Sequence, residues 1–194
     1  MAAPTRKLIY SFAVSLDGYI ADAAGNFDWA APDEELHRFH NERAGEVDVY
    51  LLGRRLYETM VYWETAEEEH PDSPEHELEF ARIWGASEKV VFSRTLERVA
   101  GNARLSDDDP TAALARLKSE PGKDIALGGA GLASSLVERD LVDEYRLFFN
   151  PVIVGGGTPY FPPFQRQLDL RLAETRTFGS RVVYLRYERH PAHP

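Results

Sequence analysis

Three apolar runs in this chain end in residues suited to holding phosphate. Val49-Tyr50-Leu51-Leu52 is followed by Gly53-Arg54-Arg55, Val90-Val91-Phe92 by Ser93-Arg94-Thr95, and Ile125-Ala126-Leu127 by Gly128-Gly129-Ala130-Gly131. Glycine lets backbone amides approach a pyrophosphate, and arginine meets a further phosphate through bidentate, charge-assisted bonds. Ligands of open α/β sheets bind beyond the carboxyl ends of strands, so three such ends in one chain can converge on one crevice. Together they predict a phosphorylated dinucleotide, NADPH, and with it a hydride-transferring reductase. Taken alone, Gly128-Gly129-Ala130-Gly131 reads more readily as a tight turn needing positive φ.

Other residues could act on a substrate. Glu35 and Phe39 are four apart, so one helix face can offer both to a planar ring. A carboxylate there could bind the N–H groups of a heterocycle and relay a proton through water. The alternative is an ordinary first-turn acid favoured by the helix dipole, with Glu34 able to exchange roles with it. Asp17, at the end of the first apolar run, either orders its turn or contacts substrate. Trp29 is a candidate wall for the nicotinamide pocket or a loop anchor. Gly155-Gly156-Gly157-Thr158-Pro159 is either a flexible turn or a close backbone approach to ligand, with the Thr158 hydroxyl as a contact.

The elements that must carry these residues follow from periodicity. Leu8 to Val14 reads as a buried first strand closed by Asp17-Gly18, and Pro32-Asp33 starts a helix running to about Ala44. Val47 to Leu52, Lys89 to Phe92, Ala103 to Leu105, Ile125 to Leu127 and Val142 to Phe149 are predicted strands. Helices are expected from Arg54 to about Val61, over Glu75–Gly85 and Thr111–Lys118, and from Gly131 to Arg139. Leu170–Phe178 and Arg181–Tyr187, joined by Gly179-Ser180, predict a hairpin. Alternating strands and helices place the chain in the α/β class, with a mostly parallel sheet covered by helices on both faces.

Composition narrows the chemistry. The 194 residues contain no cysteine, which removes thiol catalysis, thiolate metal sites and disulfides. His37 and His40 are three apart on a helix but lack a companion ligand motif, so no metal is expected. No Gly-x-Ser-x-Gly elbow is present. A net charge of −10 disfavours nucleic-acid binding, and no apolar stretch approaches transmembrane length. Met1 to Lys7 lacks the apolar core of a signal peptide, so a cytoplasmic protein is expected. Residues 1–190 are expected to form one domain, with 191–194 as a tail.

An ordered set of motifs carries a family resemblance. These are Ser15-Leu16-Asp17-Gly18-Tyr19-Ile20-Ala21, Gly53-Arg54-Arg55-Leu56-Tyr57-Glu58, Val91-Phe92-Ser93-Arg94-Thr95, Gly128-Gly129-Ala130-Gly131-Leu132, Leu141-Val142-Asp143-Glu144-Tyr145 and Pro151 through Pro159. The chain resembles the dihydrofolate-reductase-like superfamily, in the group related to the reductase domain of riboflavin biosynthesis. The resemblance implies a mixed, mainly parallel eight-stranded sheet, NADPH as cofactor and a homodimer. It places Arg54 and Arg94 beside the 2′-phosphate and Ser93 near the adenine ribose, within the Gly53–Arg55 and Ser93–Thr95 segments. Gly128 to Leu132 would cradle the pyrophosphate, and Ser15 to Trp29 would lie beside the nicotinamide. Leu56 departs from the pattern, standing where dihydrofolate reductases carry a threonine that bonds the pyrophosphate. The substrate implied is a small planar heterocycle or conjugated C=N or C=O compound, pterin- or aminopyrimidine-like. Weak dihydrofolate reduction and nucleotide sensing without turnover are the alternatives.

Overall fold

A computed structural model describes residues 6–163 and 167–190. Ten strands are present among them: β1 (Leu8–Ser15), β2 (Tyr19–Ala21), β3 (Val47–Gly53), β4 (Glu88–Phe92), β5 (Ala103–Ser106), β6 (Asp124–Gly128), β7 (Glu144–Asn150), β8 (Thr158–Pro159), β9 (Leu170–Thr177) and β10 (Val183–Arg189). The helices are α1 (Glu34–Ala44), α2 (Arg54–Met60), α3 (Ala66–Glu69), α4 (Glu75–Ala86), α5 (Pro110–Ser119) and α6 (Ala130–Glu138), with short 3-10 turns at Asp28–Ala30 and Val61–Glu64. The expected tail, 191–194, lies outside the described residues.

Eight strands form one sheet in the order β5-β4-β3-β6-β1-β7-β10-β9. The first six are mutually parallel, and β10 and β9 close the edge antiparallel, as the predicted hairpin requires. β2 and β8 pair separately as a small antiparallel ribbon. Alternation along each strand sends side chains to opposite faces. Leu8, Tyr10 and Val14 of β1 and Val49 and Leu51 of β3 join Leu114 and Leu117 of α5 and Ala133, Leu136 and Val137 of α6 in one core.

The opposite face is covered by α1, α2 and α4. Leu36 and Phe39 of α1 pack with Phe148, Phe178 and Tyr184, while Leu52 and Val91 pack with Tyr57 and Trp84. The start of α1 is set by Asp33, whose carboxylate accepts from Leu36 N at 2.9 Å and satisfies one of the orphan N–H groups there. That capped start fixes which α1 residues meet the sheet.

Candidate functional site

Parallel pairing brings the carboxyl ends of four strands to one edge. Gly53 stands opposite Phe92, Leu52 opposite Gly128 and Tyr10 opposite Leu127, so the turns after β4, β3, β6 and β1 follow one another. A cavity of about 540 Å³ opens there. Gly53, Arg54, Arg55 and Leu56 line it from the β3–α2 junction, and Gly129 to Leu132 from the β6–α6 junction. Ile20 and Ala21 of β2 and Thr158 of β8 close the other end.

Two glycines show why the turn after β6 takes its shape. Gly129 has φ +99°, and a Cβ added to it would lie 3.4 Å from Gly53 N, so the two phosphate-suited turns press together there. A Cβ on Gly131 would meet nothing within 4 Å, which leaves open space in front of the first turn of α6. N–H groups in a helix's first turn lack intrahelical acceptors and carry the positive end of the dipole. Arg54 is half-exposed and reaches Glu58 at 3.5 Å, a long i,i+4 pair that an incoming phosphate can displace.

Ser93, Arg94 and Thr95 sit at the same sheet edge but do not line this cavity. The Ser93 hydroxyl accepts from Thr95 N at 3.1 Å and Leu96 N at 3.0 Å, so it caps its own turn. Gly128 faces a neighbouring cavity instead. A Cβ on it would lie 2.4 Å from Leu56 Cδ2, so Leu56 fills the space beside the glycine turn where a threonine was expected by resemblance.

The structure gives the substrate-side candidates Glu35, Phe39 and Asp17 contacts of their own. Glu35 and Phe39 do share a helix face, but that face packs on the β9–β10 hairpin. The Glu35 carboxylate accepts from Gly179 N and from Arg176, both at 3.1 Å, and these two contacts hold its pKa below the usual carboxylate value. Phe39 is buried against Phe148, Phe178 and Tyr184. Asp17 accepts from Gly155 N at 2.8 Å and Val154 N at 3.2 Å. Hydrogen bonding to Ser15 and to those amides keeps its carboxyl below the ordinary value, and the side chain ties the β1–β2 turn to the glycine segment. Trp29 turns its indole N–H into a buried position with no hydrogen-bond partner among the described residues, while its neighbours Phe27 and Ala30 line the larger cavity.

Other residues of α1 help to line a second chamber, of about 360 Å³. His37, His40 and Arg43 descend into it from α1, and Ser11, Tyr50 and Arg146 rise from the sheet. Trp63, Phe80 and Trp84 form an aromatic side wall, with Trp63 and Phe80 ring centroids 4.8 Å apart. Phe12, Leu56 and Met60 line both cavities and so form their common boundary. His40 packs against Phe148 with centroids 4.3 Å apart. Burial, reinforced by the proximity of His37, pushes the His40 pKa down to about 4, so its imidazole is neutral at pH 7. The i,i+3 spacing of His37 and His40 was the one sequence signal for this chamber; it was weighed only as a metal pair and set aside for want of a companion ligand motif.

Residues 6–184 match the family model described as the RibD C-terminal domain. The chain is 33% identical over 183 residues to the uncharacterised protein YyaP of Bacillus subtilis (strain 168), covering 94% of each chain. Its fold is similar to that of a diaminohydroxyphosphoribosylaminopyrimidine deaminase/5-amino-6-(5-phosphoribosylamino)uracil reductase from Thermotoga maritima, with a TM-score of 0.68 and 16% identity over 96% of this chain and 57% of that one. A dihydrofolate reductase from Enterococcus faecalis complexed with NADP(H) superposes with a TM-score of 0.62 and 15% identity, covering 95% of this chain and 97% of the other. At those identities the solved structures establish the shared fold. The chain belongs to the RibD C-terminal domain family and has the mixed eight-stranded fold that it shares with dihydrofolate reductase.

Proposed function

We propose that the protein is a reductase that holds NADPH along the carboxyl edge of its sheet and a small, planar, conjugated substrate in the chamber beneath α1. The observation that carries this reading is the meeting of the Gly53–Arg55 and Gly129–Leu132 turns in one cavity that shares the wall Phe12, Leu56 and Met60 with the second. The Enterococcus neighbour holds NADP(H) on this same fold.

The residues fit the cofactor. The close approach of Gly129 to Gly53 leaves backbone, not side chain, facing the diphosphate position, and Gly131 leaves room in front of the helix amides. Arg54 and Arg55 would take the 2′-phosphate, and Ile20, Ala21 and Thr158 would bound the nicotinamide end. When bound, the cofactor supplies a hydride, and the protein supplies alignment, electrostatics and exclusion of water.

Each charged hydrogen bond to a phosphate is worth about 1.5–3 kcal/mol. Arg54→Ala is therefore expected to raise the NADPH dissociation constant about 10–100-fold while leaving NADH binding nearly unchanged. Fluorescence titration with both nucleotides measures this, and an equal loss for the two would remove the 2′-phosphate role. Saturable NADPH binding with no oxidation across pterins, aminopyrimidines and quinones would favour a nucleotide sensor instead. Because Glu35 faces the hairpin, Glu35→Gln is expected to leave kcat/KM and its pH profile at wild-type values in steady-state assays. A tenfold fall in kcat/KM would return that acid to the reaction.

A further inference from the structure

We infer that the chamber beneath α1 recognises a neutral planar ring through the ring's carbonyl oxygens, which makes the substrate a cyclic dione of the quinone class. The redox part of this inference rests on the reductase reading above; the binding part does not.

The polar side chains that line the chamber are weighted towards donors. Three buried side-chain nitrogens of lining residues have no hydrogen-bond partner among the described residues: Arg43 Nε and Trp84 Nε1, which can only donate, and His37 Nδ1, which can do either. Burial raises the Tyr50 pKa, so its hydroxyl stays protonated, and neutral His40 can donate from one ring nitrogen. Among the described lining residues there is no aspartate, glutamate, asparagine or glutamine. An amino-substituted pyrimidine or pterin edge presents N–H groups, for which the side chains lining this chamber offer only hydroxyl and imidazole acceptors and no carboxylate. Glu35, the acid that could have served, is held by Gly179 and Arg176 on the hairpin side.

Charge argues against an anionic ligand as well. Arg146 is paired with Glu144 at 2.6 Å and Glu46 at 2.7 Å, and Arg43 with Glu46 at 3.0 Å. Both guanidinium charges are thus met by carboxylates outside the chamber lining, and a carboxylate or phosphate entering it would find no free cation there. A carbonyl oxygen needs only the unpaired N–H groups. A neutral imidazole can polarise such a carbonyl as a hydrogen-bond donor without giving up its proton. The walls supplied by Tyr50, Trp63, Phe80 and Trp84 suit a flat ring, and 360 Å³ lies at the small end of ligand pockets. In the reaction the dione gains a hydride from the reduced nicotinamide and one proton from water, giving the dihydroxy ring and the oxidised nicotinamide.

The test titrates the full chain, without nucleotide, with 2-methyl-1,4-naphthoquinone and separately with 2,4-diaminopyrimidine, reading tryptophan fluorescence. Trp63 and Trp84 line the chamber and report its occupancy. Saturable quenching by the quinone, at least tenfold tighter than by the diaminopyrimidine, is expected. His40→Leu should weaken quinone binding about tenfold and His40→Gln should recover part of it, with the NADPH dissociation constant unchanged in both. Equal or tighter binding of the diaminopyrimidine, or no saturable quinone binding, overturns the inference even if the His40 variants do not fold. NADPH binding measured on the same samples keeps the two readings apart. Its loss with quinone binding intact would sink the reductase and spare the dione site.

Discussion

Gly157→Ala is expected to abolish turnover and to lower the free energy of unfolding by roughly 2–5 kcal/mol, the sum of a strained φ and an overpacked contact. Gly157 has φ +136°, and a Cβ built on it would lie 2.1 Å from Ala21 O, 2.5 Å from Asp22 C and 2.7 Å from Asp22 O. Those atoms are backbone and cannot rotate aside as the end of a leucine would. Relief requires the glycine segment to part from the β2 turn, which breaks the pairing of Ala21 with Thr158. Both residues line the larger cavity, so the strain is released where the nicotinamide is proposed to lie. Tyr160 resists movement on the other side, through its backbone N–H to Gly18 O at 2.9 Å and its hydroxyl to Tyr10 O at 2.8 Å. Gly156→Ala is the control: its φ is +142°, but its added Cβ meets nothing within 4 Å. Urea unfolding and NADPH titration of both variants measure the difference. Equal losses for the two would mean that the close approach at residues 21–22 does not exist in solution.

The meeting of the glycine turns at one sheet edge was legible in the sequence because its signals are local. A strand that ends in Gly53-Arg54-Arg55 or Gly128-Gly129-Ala130-Gly131 declares both its register and its turn, and parallel pairing does the rest. Ser93 shows the limit of that logic. Its hydroxyl is satisfied two and three residues onward, a competing local bond that a strand-end pattern does not distinguish from a ligand contact. The ribbon of β2 and β8 was missed because three-residue and two-residue strands leave no alternation to read.

Facing, rather than element type, was the harder part. The spacing of Glu35 and Phe39 correctly put them on one stripe of α1, yet which stripe meets the chamber depends on Phe148, Phe178 and Tyr184, more than a hundred residues later. With Leu36 and Phe39 drawn into that aromatic cluster, His37, His40 and Arg43 of the same helix line the chamber beside it. The chamber is assembled from residues of β1, β3, β6, β7, α1, α2, α4 and the 3-10 turn at Val61–Glu64, so no single stretch of sequence could announce it.

That placement of α1 makes a second large prediction, on the acid side of neutrality. His40 titrates near 6.5 when unfolded and at about 4 when folded, because burial and then His37 disfavour its charged form. Between those values the unfolded chain binds the proton and the folded chain does not. The neutral form's contribution is therefore complete above pH 6.5, falls as pH drops toward 4, and is flat below it. Its full span is on the order of 3 kcal/mol. The groups sharing its chamber do not offset this: Arg146 remains charged, its burial outweighed by Glu144 beside it, and His37 is also pushed down by burial and by His76, which adds to the loss in the same direction. Asp17, Glu34 and Glu35, whose carboxyls are held below their ordinary values, release their own contributions only at lower pH. Urea unfolding at pH 7 and pH 4.5 is expected to show a markedly steeper loss for the wild-type chain than for His40→Leu, which has no proton to take up. Parallel losses in the two proteins would mean that His40 is solvated or already charged, and that α1 does not present it to the chamber.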